Sequence, residues 1–265
     1  FDGDDLPNWL DLDSDDDGIT DITEAGGTDA NSDGQVDYAS PGDASSMIDA
    51  DKDGFMDGVD GDPGNDDIAE NTANVLIITS ADSDGDGIPD GIYSRANTDS
   101  NGLPDFLDID ADDDGITDNT EAQTTADYQS PSNQDLDNDG IDDAYDNVSG
   151  FGGAGLSPTN TDSDGTPDYQ DLNSDNDDES DLIEGHDTDG DGSANSQSPA
   201  RTGVATGVDS DGDGLDDGFD NDLSSSDPTN GSLSPTSFPK FDSGLDRDWR
   251  DINSSSFPVE WSGFE

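Results

Sequence analysis

Apolar residues in this chain stand almost alone among runs of Asp, Gly, Ser and Asn. The longest apolar run is Val75-Leu76-Ile77-Ile78, and no segment carries apolar residues at helical spacing over three turns. That pattern predicts mostly turn and coil with short β segments, Val75–Thr79 being the one convincing strand candidate. The isolated apolar residues nevertheless recur at fixed distances. Trp9, Phe106, Tyr169 and Trp249 are each followed three residues later by Leu12, Ile109, Leu172 or Ile252. Val59, Ile92, Tyr145 and Phe219 form a second set. Regular spacing without a continuous stripe predicts small apolar plugs between successive turns rather than one core.

Charge explains why no larger core is expected. The 265 residues include 70 Asp plus Glu against 6 Lys plus Arg, one His and no Cys, for a net charge of -64, and only 26% are hydrophobic. Phosphate and anionic lipid would repel such a chain, which excludes nucleic-acid and membrane-surface binding. No stretch approaches the roughly 18 apolar residues that span a bilayer, and no disulfide can staple the fold. Composition of this kind predicts disorder unless something other than apolar burial offsets chain entropy. The acids themselves suggest what that is: 63 are Asp, and only Glu24, Glu70, Glu121, Glu179, Glu184, Glu260 and Glu265 are Glu. Asp is a poor helix former but a short, stiff oxygen donor, which suits metal ligation in tight loops.

Spacing supports that choice. Acids or Asn recur at positions 1, 3 and 5 of a twelve-residue loop, with Gly at 6, an acid at 9 and another at 12. The clearest copies are Asp13, Asp15, Asp17, Asp21, Glu24 and Asp110, Asp112, Asp114, Asp118, Glu121. Asp49, Asp51, Asp53, Asp57, Asp60 follow, as do Asn97, Asp99, Asn101, Asp105, Asp108 and Asp135, Asp137, Asp139, Asp143, Asp146. Asn160, Asp162, Asp164, Asp168, Asp171 and Asp209, Asp211, Asp213, Asp217, Asp220 complete the set with Asp at position 12. Asn173, Asp175, Asp177, Asp181, Glu184 keep the rule but carry Asp178 where Gly is expected. Three copies lack the last acid: Asp29, Asn31, Asp33, Asp37; Asp82, Asp84, Asp86, Asp90; and Asp187, Asp189, Asp191. A partial copy, Asp2, Asp4, Asn8 and Asp11, precedes them all.

Calcium takes six to eight oxygens at about 2.3–2.6 Å, and alternate acids in a curled loop can converge on one such ion. Gly at 6 allows the turn, the position-7 carbonyl adds a ligand, and positions 9 and 12 close the shell. The position-7 carbonyls are those of Ile19, Phe55, Ile88, Leu103, Ile116, Ile141, Thr166 and Leu215. About one calcium per loop, roughly ten to twelve in all, is the expected complement. Magnesium prefers to keep its waters, and zinc has no Cys and only His186 to bind.

A longer period contains the loops. Leu6–Asp13, Leu103–Asp110 and Thr166–Asn173 align without gaps, and Leu245–Asn253 is a degenerate fourth copy. The division is therefore 1–96, 97–159 and 160–239 as three superunits, then 240–265 as a degenerate unit with a tail. The chain opens within a unit and does not begin with Met, so a region of a larger protein is expected.

EF-hands and dockerins need helices beside each loop, and flanks such as Gly61-Asp62-Pro63-Gly64 cannot form them. Pro7, Pro89, Pro104 and Pro167 at position 8 also lack the N–H for strand pairing between loops. The runs Asp82-Ser83-Asp84-Gly85-Asp86-Gly87-Ile88-Pro89-Asp90 and Asp209-Ser210-Asp211-Gly212-Asp213-Gly214-Leu215-Asp216-Asp217 instead resemble thrombospondin type 3 repeats. The chain lacks the cysteines of the animal repeats and so looks like the version found in bacterial secreted or surface proteins. That resemblance implies a chain wound around calcium in place of a core, and an extracellular location.

Other readings carry less. Asn147-Val148-Ser149, Asn230-Gly231-Ser232 and Asn253-Ser254-Ser255 match a glycosylation triplet. Glycosidase chemistry would need an enclosed carboxylate pair, and His186 has no nucleophile pattern beside it, so no enzyme is expected. The expectation is an elongated, mostly irregular calcium-stabilised array that acts as an extracellular stalk or spacer of an adhesion protein. A self-assembling fibre and an acidic mineral-binding or calcium-buffering protein are the alternatives. Further copies of the chain, other surface proteins and glycans are the candidate partners.

Overall fold

The computed structural model describes residues 6–8, 10–25, 29, 31–35, 96–100, 102–195, 202–224, 233–241 and 246–251. The loops at 49–60 and 82–93, the strand candidate Val75–Thr79, and Asp37, Asn101, Trp9 and Ile252 lie outside these residues. Within them the chain is mostly turn and coil, as its composition predicts, and no strand is present among the described residues. The regular elements are single turns: α1 (Asp21–Glu24), α2 (Asp118–Glu121) and α3 (Asp181–His186), with 3-10 turns at Asp105–Leu107, Asp168–Gln170, Pro235–Ser237 and Asp248–Arg250.

Positions 9–12 of the loops coil into these single turns. The reason is local. The position-2 N–H donates to the position-9 carboxylate, as from Ser14 to Asp21 (2.8 Å), Ala111 to Asp118 (2.8 Å) and Ser174 to Asp181 (2.8 Å). Side chains thereby take the N–H groups that a ladder would need, and a tight turn is what remains.

Successive units meet through these turns. α1 contacts Asp105–Leu107 of the following unit, α2 contacts Asp168–Gln170, and α3 contacts Asp248–Arg250. Small apolar clusters fill the joints: Ile19, Ala111, Ala122 and Tyr169; Ile109, Leu215 and Phe219; Ile116, Phe238 and Trp249. These are the plugs that the spacing predicts. Ile19, Ile116, Ile141 and Leu215, all at position 7, are completely buried. Tyr169 and Trp249 at position 10 are buried as well.

The inserted loops at 135–146 and 209–220 each fold back over the unit before their own. The Leu12 N–H donates to the Asp139 carbonyl (3.0 Å), and the Ile109 N–H donates to that of Asp213 (3.1 Å). Tyr145 lies over Gly18 and Phe219 over Gly115, so close that a Cβ on either glycine would meet the ring at 2.6 and 2.5 Å.

Candidate metal centre

The loops that begin at Asp13, Asp110, Asp135 and Asp209 are each shaped by three hydrogen bonds that the acids accept, and other described loops keep some of them. The position-6 N–H donates to the position-1 carboxylate: Gly18 to Asp13 (2.9 Å), Gly34 to Asp29 (2.8 Å), Gly115 to Asp110 (3.0 Å), Gly140 to Asp135 (3.0 Å) and Gly192 to Asp187 (2.7 Å). The position-7 N–H donates to position 5, as in Ile19 to Asp17 (2.6 Å), Ile116 to Asp114 (2.8 Å), Ile141 to Asp139 (3.0 Å) and Leu215 to Asp213 (3.0 Å). The third bond is the one from position 2 to position 9. Among the described residues position 4 is left-handed: Asp16, Ser32, Ser100, Asp113, Asn138, Ser163 and Asn176 have φ between 59° and 64°, and Gly190 and Gly212 are also positive. Asp, Asn, Ser and Gly are residue types that tolerate or favour such turns, a signal present in the sequence that reasoning on ligands alone passes over.

With those bonds made, specific carboxylate oxygens remain unpartnered inside the protein. In the first full loop they are Asp13 Oδ1, both of Asp15, Asp17 Oδ2 and both of Glu24. In the second they are Asp110 Oδ1, Asp112 Oδ2, Asp114 Oδ2 and both of Glu121. Glu24 is 1% and Glu121 0% exposed. Ligand oxygens of Asp13, Asp15 and Asp17 lie within 4.8 Å of one another, as do those of Asp110, Asp112 and Asp114 and of Asp135, Asp137 and Asp139. A cation about 2.4 Å from each oxygen fits that separation.

The electrostatics are those of acids held together without a counter-charge. Burial, with Asp17 and Asp15 beside it, pushes Asp13 well above the carboxylate range, and burial with Asp17 and Asp21 does the same to Asp15. Burial drives Glu24 up, reinforced by Asp15, Asp17 and Asp118, and drives Glu121 up, reinforced by Asp114 and Asp112. Asp17 and Asp114 are pushed up to about 7 by burial, against the opposing Ile19 and Ile116 N–H groups. Buried charge of one sign is costly unless a cation or protons neutralise it. An all-oxygen donor set of this kind could hold a hard divalent cation.

The remaining sequence-assigned residues divide into two groups. Asp118 and Asp181, assigned by spacing to their own loops, reach the preceding ones. Asp118 lies within 4.8 Å of ligand oxygens of Asp17 and Glu24, and Asp181 within 4.8 Å of those of Asp114 and Glu121. Several other assigned acids serve protein groups. Asp21 Oδ2 accepts from Ser14 Oγ (2.8 Å), Asp105 from Thr98 and from Gln170 Nε2 (2.7 Å), and Asp217 from Ser210. Asp143 accepts the Leu136 N–H (3.1 Å), and Asp168 pairs with Arg250 at 3.1 Å. Asp108, Asp146, Asp171 and Asp220 at position 12 each accept the N–H two residues on. Asn31 donates to Asp33, Asn176 Nδ2 to Asp162, Asn195 Nδ2 to Asp189, and the Thr166 N–H to Asp164.

Where position 1 is not Asp, its donor turns inward. Asn97 Nδ2 donates to the Leu103 carbonyl at position 7 (2.6 Å), and Lys240 Nζ donates to the Asp246 carbonyl, six residues along at position 7 of the degenerate unit. His186 is completely buried between Phe219 and Phe238, with ring centroids 4.7 and 6.0 Å away. Its place is in packing. Neither a scan against protein-family models nor a comparison with curated proteins found a match to this chain.

Proposed function

We propose that the chain is a calcium-binding structural region whose loops fold around the ion, and that it works outside the cell as a stiffened stalk or spacer of a surface or adhesion protein. The observation that carries this reading is the set of buried, unpartnered oxygens of Asp13, Asp15, Asp17 and Glu24, repeated at Asp110, Asp112, Asp114 and Glu121. Calcium is the preferred ion because it accepts many carboxylate and carbonyl oxygens at once. External calcium, typically far above the cytosolic level, fits loops with affinities in the range of extracellular modules, about 10⁻⁴–10⁻³ M. The likeness of the loops to thrombospondin type 3 repeats supports the same reading, and the role is structural rather than catalytic.

Calorimetric titration with calcium tests it, together with small-angle scattering with and without EDTA. Saturation near one ion per loop and expansion of the chain in EDTA support the proposal. An unchanged hydrodynamic radius and circular dichroism on adding EDTA would refute it. Weak binding without a defined stoichiometry would favour a calcium buffer instead.

A further inference from the structure

Units in this chain touch through position 9 of their loops, and the first two loops of the units that begin at Asn97 and Asn160 use that position differently. In the first loop of a unit, the position-9 acid takes a side-chain donor from the unit that follows. Gln170 Nε2 donates to Asp105 (2.7 Å), and Arg250 Nε pairs with Asp168 (3.1 Å). In the second loop, the position-9 acid faces the unit that precedes. Asp118 Oδ1 accepts its own loop's Ala111 N–H (2.8 Å), while Oδ2 has no partner and is buried. Asp181 repeats the arrangement with Oδ2 on the Ser174 N–H (2.8 Å) and Oδ1 unpartnered. Both residues are 0% exposed.

The unpartnered oxygens meet carboxylates of the neighbouring unit. Asp118 gathers with Asp17 and Glu24, and Asp181 with Asp114 and Glu121. Each of these groups is fully buried and holds a glutamate with both oxygens unpartnered. The approach is fixed by Asn119, next to Asp118, whose Nδ2 donates to the Asp17 carbonyl and to the Tyr145 hydroxyl (2.8 Å). Three buried carboxylates from two units have no reason to converge except around a shared positive charge.

We infer that Asp118 and Asp181 are ligands to the divalent cation of the preceding unit, so that each such ion staples two units together. The inference rests on the calcium reading above and adds to it that the ion's site is incomplete until the next unit docks. Ion binding and unit stacking are then one event, passed along the chain from neighbour to neighbour.

The test is a calcium titration of the full chain labelled with 15N-isoleucine. The Ile19 and Ile116 N–H groups donate to Asp17 and Asp114, so their resonances report the two sites separately. Asp118→Asn keeps the acceptor for Ala111 and removes the charge. It should raise the calcium midpoint at Ile19 at least tenfold and move that at Ile116 far less. Asp181→Asn should weaken Ile116 and leave Ile19 nearly unchanged. If Asp118→Asn weakens Ile116 most, or both sites equally, Asp118 serves its own loop or general stability and the inference fails. Should Asp118→Asn not fold in saturating calcium, the same comparison in Asp181→Asn decides. A wild-type chain whose resonances ignore calcium would instead overturn the calcium reading itself.

Discussion

Removing divalent ions should make the stability of this chain depend on pH in the direction opposite to that of most acidic proteins. Asp17 and Asp114 are held near pKa 7 by burial, against a reference of 3.8. Their folded-state pKa values are raised, so the folded form binds more protons than the unfolded chain between those limits. The stability they allow is therefore fully present below about pH 4 and is lost as pH rises through about 7. A displacement of about three units corresponds to ~4 kcal/mol per group at neutral pH. Two such groups alone amount to ~8 kcal/mol, comparable to the 5–15 kcal/mol that stabilises a whole domain. Asp13, Asp15, Glu24, Asp110, Asp112 and Glu121 shift in the same direction and add to the effect.

The assay is near-ultraviolet circular dichroism with small-angle scattering on metal-stripped protein from pH 4 to 8. Trp249 and Tyr169, both buried in the joints between units, supply the signal. The stripped chain should be folded in mild acid and expanded at pH 8, and calcium should restore the folded signal at pH 8. Calcium affinity should fall on acidification, because each ligand must first lose its proton. A stripped chain that keeps its native signal and radius at pH 8, or that gains stability as pH rises, would show that these carboxylates are compensated by something other than a cation.

Three further substitutions probe how the units are joined. Arg250→Ala removes the partner of buried Asp168 and the donor to the Glu121 and Gln123 carbonyls, and should cost about 3–5 kcal/mol by urea denaturation in calcium. Gly115→Ala places a methyl group 2.5 Å from the Phe219 ring at φ +85° and should cost about 1–3 kcal/mol by thermal unfolding. Tyr145→Phe removes the acceptor of one Asn119 Nδ2 bond and the donor to the Gln129 carbonyl, leaves the Asn119 bond to the Asp17 carbonyl in place, and should cost about 1 kcal/mol.

What could be read from the sequence was the local part of this arrangement. Asp13, Asp15 and Asp17 curl toward one point because Gly18 and Asp16 permit the turn, and both are visible in twelve consecutive residues. The plugs at Ile109, Tyr169, Phe219 and Trp249 were legible for the same reason, since their spacing repeats with the loop, whereas the burial of position 7 was not foreseen. The destination of Asp118 was not. Its spacing from Asp110 is that of a ligand in its own loop, and only the docking of the second unit on the first brings it to Asp17 and Glu24. Arg250 is similar, since its partners Asp168 and the Glu121 carbonyl lie 82 and 129 residues away in sequence.

One irregularity in the loops then acquires a cause. Gly at position 6 does two things in the units that end at Glu24 and Glu121: it takes a left-handed backbone, with φ of 97° at Gly18 and 85° at Gly115, and it leaves room for an aromatic ring. The ring comes from position 11 of an inserted loop within the following unit, Tyr145 for Gly18 and Phe219 for Gly115. In the third unit, position 6 is Asp178, and its backbone is not left-handed. Leu172 in that unit is 55% exposed, whereas its counterpart Ile109 is 1% exposed beneath Leu215 and Phe219. Among the described residues no inserted loop folds back over this unit, so neither demand on a glycine is present. The inserted loops at 135–146 and 209–220 thus each clamp the unit before their own, and Asp178 replaces Gly in the unit over which, among the described residues, no such ring lies.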